Sequence, residues 1–588
     1  MPTLNPVLTG GNGTPTYNLG IAETYSWIPV QNDQNRPMYA RAVYPLGTTF
    51  GKTAKDVIGN LKVSQAQNIY EANFEYSSQP LRWESLNIGA GSISHVPGMG
   101  AVKMQILSGN DVNVRQSRPY HRYQPGKSMY MASAVNFGGP YIGQFQRVGF
   151  FDDANGMFIE QGTPGSSYNT GANYVSNGTL TAITTAAASS NPNGTTGINQ
   201  SLSANNPSGM YICWRTDSNP YAVNGNASTA VYTDYKISLD QWSDPYKIAG
   251  TLNWNDLQMV WMEYSWYGAG TLRWGVLING EPYILHEQGM GNFQPYAWAR
   301  TGNLPVRYEQ RDTTGVNQPS TMVHYGVSVI VDGLLDPQKG FTYSYGTSAI
   351  MPVAGGANRK PLVSIRPRQM GTVEYTQANA GIVSSPAPTV SSLSVAGTPW
   401  ATNQWVGRSI LFPNLSSSVN PYGVNAKITS NTSNSLTFGD VVTLSSLSSA
   451  FVPYAGANYT IGQIDRGQII PLDLLITSNN SCLVELIAST PTSPIQLTGA
   501  NFVSLSSLGS TYSFGERDIA ATGTVIGGEV VYGFFTPTAG TVQDINLTNF
   551  FPLYNTIKGN TPDILTVAIT TTTSVSAGVH VVGQETMS

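Results

Sequence analysis

The sequence predicts an all-β protein: a jelly-roll-like antiparallel β-sandwich followed by a second, smaller C-terminal β domain, with an extended N-terminal arm. Three observations carry this reading. The 32 Tyr and 11 Trp stand beside 61 Gly and 36 Pro, a mixture suited to pleated, half-buried surfaces joined by tight turns. From Phe50 onward, short apolar runs are separated by turn signals rather than by helical stretches. Twice an Asn-Gly pair, which supplies the positive φ angles of a tight hairpin, sits between two apolar strands.

In chain order, residues 1–50 are rich in Gly, Pro, Asn and Tyr and show little periodicity, so they read as an arm that lies on something larger. Residues 51–370 form the main sandwich, and its two clear hairpins turn at Asn155-Gly156 and Asn279-Gly280. Between them, residues 162–209 are Ser, Thr, Asn, Gly and Ala with almost nothing apolar to bury, which predicts a projecting insertion. The best helical candidate is a turn around Ser238-Leu239-Asp240-Gln241-Trp242. Residues 371–460 read as a Ser/Thr/Pro-rich linker with a small β element around Trp405–Leu411 and Ser433–Leu444. The C-terminal domain, 461–588, carries strand candidates at Ile469–Ile476, Cys482–Ala488, Gly528–Phe535 and Ile564–Thr570. At 588 residues the chain has room for two to four domains.

Charge excludes several function classes. Charged residues are 11% of the chain, less than half the roughly 25% of an ordinary soluble domain, and the net charge is -4. No dense Lys/Arg run is present to attract nucleic acid or an anionic membrane. Every apolar run is interrupted well before the roughly 18 residues of a spanning helix, and the first residues lack the basic start and apolar core of a secretory signal. We therefore expect neither a nucleic-acid partner nor a membrane, and synthesis in a cytoplasm.

Chemistry-bearing motifs are sparse. The five histidines show no zinc-type spacing, so no metal and no cofactor is expected. His286-Glu287 offers one acid/base dipeptide. Asp152-Asp153-Ala154-Asn155-Gly156 looks like part of a calcium loop but lacks the closing Glu, and turn chemistry accounts for the same residues. Gly126-Lys127-Ser128 lacks the upstream Gly of a phosphate loop. Cys213 and Cys482 each lie in an apolar run and read as buried free thiols. No catalytic residue is assigned.

The aromatic residues are more informative. Trp242, Trp254, Trp261, Trp266, Trp274 and Trp298 are six of the 11 tryptophans, crowded into 57 residues. Strand alternation sets Trp261, Glu263 and Ser265 on one face and Tyr264 and Trp266 on the other. Such rings either fill a sandwich core or stack on sugars, because indole joins an apolar face to a polar edge.

Several stretches resemble β-rich structural proteins of tailed bacteriophage particles. They are Phe50-Gly51 leading to Val57-Ile58-Gly59-Asn60-Leu61, Arg118–Ser128, Gln146–Gly156, Trp266–Gly275, Leu304–Glu309 and Thr561–Val567. The resemblance covers roughly 50–370 and 461–588, and the insertion at 162–209 departs from it. It implies a structural component on the exterior of a virion, as capsid decoration, head fibre or tail part. Other virion proteins would be its partners, it would form a homo-oligomer, and it would be located in the virion. Low charge and abundant Gly and Tyr suit permanent packing against neighbours, with the arm docking to them. The alternative is a receptor-binding adhesin that contacts a host surface glycan. A polysaccharide depolymerase comes third, since it needs paired acids about 5–10 Å apart and no acid cluster stands out.

Overall fold

The computed structural model describes residues 55–58, 62, 65–141, 143–162, 206–217, 232–292, 297–312, 318–333, 340–377, 392–412, 424–439, 458–489, 493–508, 512–537, 540–547, 549–557, 559 and 562–586. For six further strands only the backbone is described, four in residues 17–41 and two at 172–176 and 179–183. The chain divides into a unit spanning 1–64 and a unit spanning 65–588. In the first, Tyr17–Asn18 pairs with Thr24–Tyr25 and Trp27–Gln31 with Pro37–Arg41, all antiparallel. The rest of the predicted arm lies outside the described residues, as does most of the predicted insertion, of which only the paired strands Ala172–Ser176 and Thr179–Ile183 are described.

The second unit opens with two antiparallel sheets, as the alternation of apolar residues requires. One has eight strands, in the order Glu281–Gly289, Thr271–Ile278, Gln258–Tyr264, Met129–Asn136, Ser320–Val331, Ala101–Ile106 and Ser92–Val96, with Gln67–Ala72 also paired to Ser320–Val331. The other has seven: Tyr232–Ser238, Met210–Asp217, Gly156–Gln161, Gln144–Phe151, Val306–Asp312, Val112–Ser117 and Trp83–Ile88. Every second residue of these strands, such as Met129, Met131 and Val135 or Val148 and Phe150, enters one shared core. Each such side chain contributes roughly 1.5–3 kcal/mol on burial. The protein is thus all-β, built on a jelly-roll-like sandwich.

The two hairpins differ in their turns. Asn279 (φ 53°) and Gly280 (φ 85°) form a two-residue turn with Ile278 opposite Glu281, the tight geometry expected. The turn before Gly156 is wider than expected: Asp152 N–H donates to Asn155 O at 2.8 Å, and the Asp152 carboxylate caps the amides of Ala154 and Asn155. Gly156 alone has a positive φ there, 138°, and Asn155 is buried, its Oδ1 accepting Arg300 N–H at 2.8 Å. Helix among the described residues is confined to 3₁₀ turns of three or four residues, one of them Leu239–Gln241 at the predicted site.

Sheet membership does not follow the boundaries drawn from composition. Gly340–Gly346, Met351–Val353 and Gly356–Pro367, read in the sequence as the end of the main domain, pair instead with C-terminal strands. The first two join Val575–Thr586 in a five-stranded sheet, and the third joins Leu565–Thr571 in a six-stranded one. These two sheets enclose their own core. The predicted linker also holds more structure than expected. Six strands between Met370 and Ile464 form a separate sheet around Trp400, Trp405, Ile410, Phe412, Ile428 and Phe438. It interrupts the C-terminal sandwich between Pro367 and Gln468.

The first and C-terminal sandwiches pack together. Arg118 meets Asp563 at 2.5 Å, with both side chains buried. Ile557 N–H donates to Glu84 at 2.8 Å, and the Arg466 guanidinium lies 4.9 Å over the Tyr120 ring. Val112, Val114 and Ile557 close an apolar cluster beside them. Loss of solvent here outweighs the pull of Arg118 and pushes the Glu84 carboxyl up to about 7, and the same cause raises Asp563.

Candidate functional site

The outward face of the seven-stranded sheet carries a charge lattice that the sequence reading missed. Antiparallel register sets Arg147 between Glu160 and Glu309 on neighbouring strands. Its guanidinium reaches Glu160 at 2.7 Å, Glu309 at 2.9 Å and Asp234 at 3.5 Å. Arg215 pairs with Asp234 at 2.8 Å, Lys236 with Glu160 at 2.5 Å, and Arg307 with Glu309 and Asp153, each at 2.7 Å. Phe145, Phe151 and Phe158 lie between these cations at ring distances of 4.6–5.5 Å. Three carboxylates therefore do converge, from strands far apart in sequence. Each is ion-paired, and the guanidinium groups around Glu309 hold its carboxyl far below the usual range against the cost of burial. A proton donor needs the opposite shift. In sequence the signal was Arg307-x-Glu309-x-Arg311, charge alternating with period two along one strand.

The calcium-like fragment is occupied by the same lattice and its turn: Asp153 pairs with Arg307, and Asp152 accepts from the turn amides and from the Tyr120 hydroxyl at 3.2 Å. His286 and Glu287 do not act together. Consecutive on a strand, they face opposite ways: His286 Nδ1 accepts Ser243 N–H at 2.9 Å, while Glu287 pairs with Arg273 at 2.7 Å. Burial lowers His286 to about 4. Cys213 and Cys482 are both free and buried. Among the described residues no three His, Cys, Asp or Glu are placed to hold a metal ion, and no helix is long and apolar enough to cross a membrane.

The tryptophans are packing residues. Trp242, Trp254, Trp274 and Trp298 lie inside the sandwich core, and Trp266 rests against it half-buried, with its Nε1 donating to Ala299 O at 2.8 Å. Trp261 faces outward with Glu263, as alternation requires, but it is covered. It stacks on Tyr130 with centroids 5.7 Å apart and lies flat across Gly275, where a Cβ would meet the indole at 2.1 Å. Ser265, assigned to the same face, is buried and meets the Tyr123 hydroxyl.

Beside Trp261, the outward face of the eight-stranded sheet opens into a groove of about 480 Å³, within the ~300–1,000 Å³ range of small-ligand sites. Register explains it. One row across the sheet runs Glu71, Ser328, Ala132, Trp261, and the next brings Ala134 beside Met259. Small side chains at Ala132, Ala134, Gly326 and Ser328 leave a trough floor between larger neighbours. Glu71, Asn73, Gln79 and Arg82 form the polar rim, and Met259, 46% exposed, supplies an apolar wall. Gln79 has φ 52°, a left-handed conformation costly for a non-glycine residue. Its carbonyl accepts the amides of Arg82 and Trp83 at 3.0 and 2.9 Å, so one tight turn fixes two rim side chains. Arg82 also lies 4.6 Å over the Tyr70 ring. A floor of small side chains with Met259 as its apolar wall, ringed by amide, carboxylate and guanidinium groups, fits a hydroxyl-rich ligand with one apolar face. The paired small residues Ala132-x-Ala134 and Gly326-x-Ser328 were the signal available in the sequence.

No family model matches the chain, and no curated protein matches it. Solved structures with some similarity include a glycosyl hydrolase family protein from Mycobacterium fortuitum (10% identity, 45% of this chain and 99% of that one, TM-score 0.24). A second is lectin I-B4 from Griffonia simplicifolia (13% identity, 45% and 99%, TM-score 0.20). A third is the binding domain of botulinum neurotoxin serotype D/C (9% identity, 80% and 99%, TM-score 0.22). Similarity at this level carries no inference about ligand or activity.

Proposed function

We propose that this chain is a non-catalytic, glycan-binding β-sandwich protein that holds a sugar in the groove over Ala132, Ala134 and Ser328. The observation that carries the reading is the groove itself, a small-residue floor with Glu71, Asn73, Gln79 and Arg82 at its rim. Planar polar side chains of this kind bond hydroxyls in pairs, while the floor and Met259 receive the apolar face of a sugar ring. The test is a glycan array probed with the wild type, with Ala134→Trp, which fills the trough, and with Arg82→Ala. Selective binding lost in both variants at unchanged melting temperature supports the reading. Binding retained in Ala134→Trp, or no selective binding by the wild type, sinks it.

A second reading, a structural component exposed on a tailed-phage virion and packed against other virion proteins, is favoured by the low charge and by the exposed apolar strand Glu529–Phe535. The two readings are compatible in a virion adhesin that engages a host surface glycan. Antibody-gold labelling of purified particles tests the second: label on the capsid or tail supports it, and unlabelled particles refute the exterior placement.

A further inference from the structure

The inner face of the seven-stranded sheet carries a patch of amides at one end of the core. Gln144 and Gln146 share a face of Gln144–Phe151 with the core residues Val148 and Phe150, and Gln310 and Asp312 share a face of Val306–Asp312 with Val306 and Tyr308. Register sets Gln146 opposite Gln310 and Gln144 opposite Asp312, so the four stand at the corners of one rectangle. None is more than 3% exposed. Gln144 Nε2 donates to Asp312 Oδ2 at 3.0 Å and to Gln318 O, and Gln310 Nε2 donates to Ser320 Oγ at 2.9 Å. Those bonds fix each amide so that its oxygen is the atom left over. Among the described residues, Oε1 of Gln144, Gln146 and Gln310 accepts no hydrogen bond, and Gln146 makes none at Nε2 either. Gln161, the next amide in the row, is by contrast satisfied at both ends, by Gly139 N–H, Ser208 O and Asn255 Oδ1. Buried acceptors left without a partner are costly and call for an occupant.

We propose that these four side chains hold a hard cation, calcium or an alkali-metal ion, inside the first sandwich. Opposite residues stand about 5 Å apart and residues two apart on one strand about 7 Å, so a point over the centre of the rectangle lies about 4 Å from each Cβ, within reach of all four side chains. Oxygen chemistry selects the occupant. Amide oxygens with a carboxylate are ligands of hard cations, and calcium accepts such sets in flexible geometry. One water brings two protons and leaves an acceptor unmet, whereas a cation satisfies every oxygen at once. Asp312 supplies negative charge, and the inner face of these two strands carries no Lys or Arg to take the place of an ion. Histidine and acid spacing gives no sign of such a site, because amides supply three of its four side chains. It lies on the other sheet from the groove and stands apart from the glycan reading.

The test is metal analysis of the purified full chain by inductively coupled plasma mass spectrometry, followed by melting curves after chelation and transfer into choline chloride, with CaCl2, NaCl or KCl added at constant ionic strength. One salt is expected to raise the melting temperature by about 5 °C at a hundredfold excess over its half-saturating concentration, and which salt does so identifies the ion. Gln146→Leu is expected to lose the response. Gln146→Glu, which adds a charge to the site, is expected to half-saturate at an approximately tenfold lower concentration. Both replacements are close to Gln in size, and the wild-type response is read without either. A wild type that carries no metal and melts alike in all three salts overturns the proposal, as does a response that Gln146→Leu retains. So does a Gln146→Leu protein more stable than the wild type in every salt, since the amides are then orphans without a ligand.

Discussion

The junction between the first and C-terminal sandwiches should store a proton at Glu84. Its carboxyl sits half-buried against Ile557 N–H, with Arg118, Arg466 and Asp563 nearby, and desolvation raises it to about 7. In the unfolded chain it would titrate near 4.5. A carboxyl whose folded value is raised adds stability that is fully present below the unfolded value and is lost as pH climbs through the folded one. The window is therefore from about pH 4.5 to about pH 7, and at ~1.36 kcal/mol per pH unit the rise corresponds to about 3 kcal/mol. Glu84→Gln keeps an oxygen for Ile557 N–H and carries no charge at any pH. Denaturant unfolding followed by tryptophan fluorescence should show the wild type losing about 3 kcal/mol relative to Glu84→Gln between about pH 5 and pH 8. Hydrogen-exchange protection around Ile557 should fall in step. His121 and His286 act in the opposite direction. Burial lowers them to about 3 and about 4, so the stability they hold above about 6.5 is lost as pH falls. Both variants share these histidines, and the difference cancels them. A difference independent of pH, or a Gln variant that is less stable at about pH 8, would refute the reasoning.

Three further outcomes are expected. Trp274→Ala and Trp298→Ala empty fully buried positions in the core and should each cost about 3–5 kcal/mol in chemical denaturation; an undiminished midpoint would mean that the rings do not pack as described. Arg147→Ala removes the cation shared by Glu160 and Glu309 and should cost about 3 kcal/mol, the low end for breaking a buried pair because Lys236 and Arg307 remain, read from the unfolding midpoint. Gly280→Ala forces a Cβ into φ 85° and should cost about 1 kcal/mol by differential scanning calorimetry, whereas Gly250→Ala, at a position with open space and no positive φ, should be near neutral.

What could be read from the sequence was what depends on nearest neighbours along the chain. Alternation in Met259–Tyr267 correctly separated Trp261 and Glu263 from Tyr264, because the faces of a strand depend only on counting by two. The turn at Asn279-Gly280 was legible for the same reason. Burial was not. Alternation put Trp261 on an outer face, and nothing local revealed that Tyr130, brought alongside by register, would cover it. The domain at 370–464 was hidden by its Ser/Thr background, yet Ile410 and Phe412, Ala426 and Ile428, and Leu436 and Phe438 each lie two apart, the period of a strand buried on one side. The groove escaped because its floor and rim come from segments more than 200 residues apart, joined only when Ser320–Val331 pairs with both Gln67–Ala72 and Met129–Asn136.

Val575–Thr586, the last strand described, pairs with Gly340–Gly346, Met351–Val353 and Gln468–Ser478 at once. During synthesis, then, the sheet begun near residue 340 waits for more than 200 further residues before its central strand leaves the ribosome. The domain at 370–464 is complete long before that and can close on its own core while its host remains open. Pairings this distant in sequence are slow to form, so the C-terminal sandwich should be the last part of the chain to mature. Until it does, its unclosed sheets are the part of the nascent protein most in need of a chaperone.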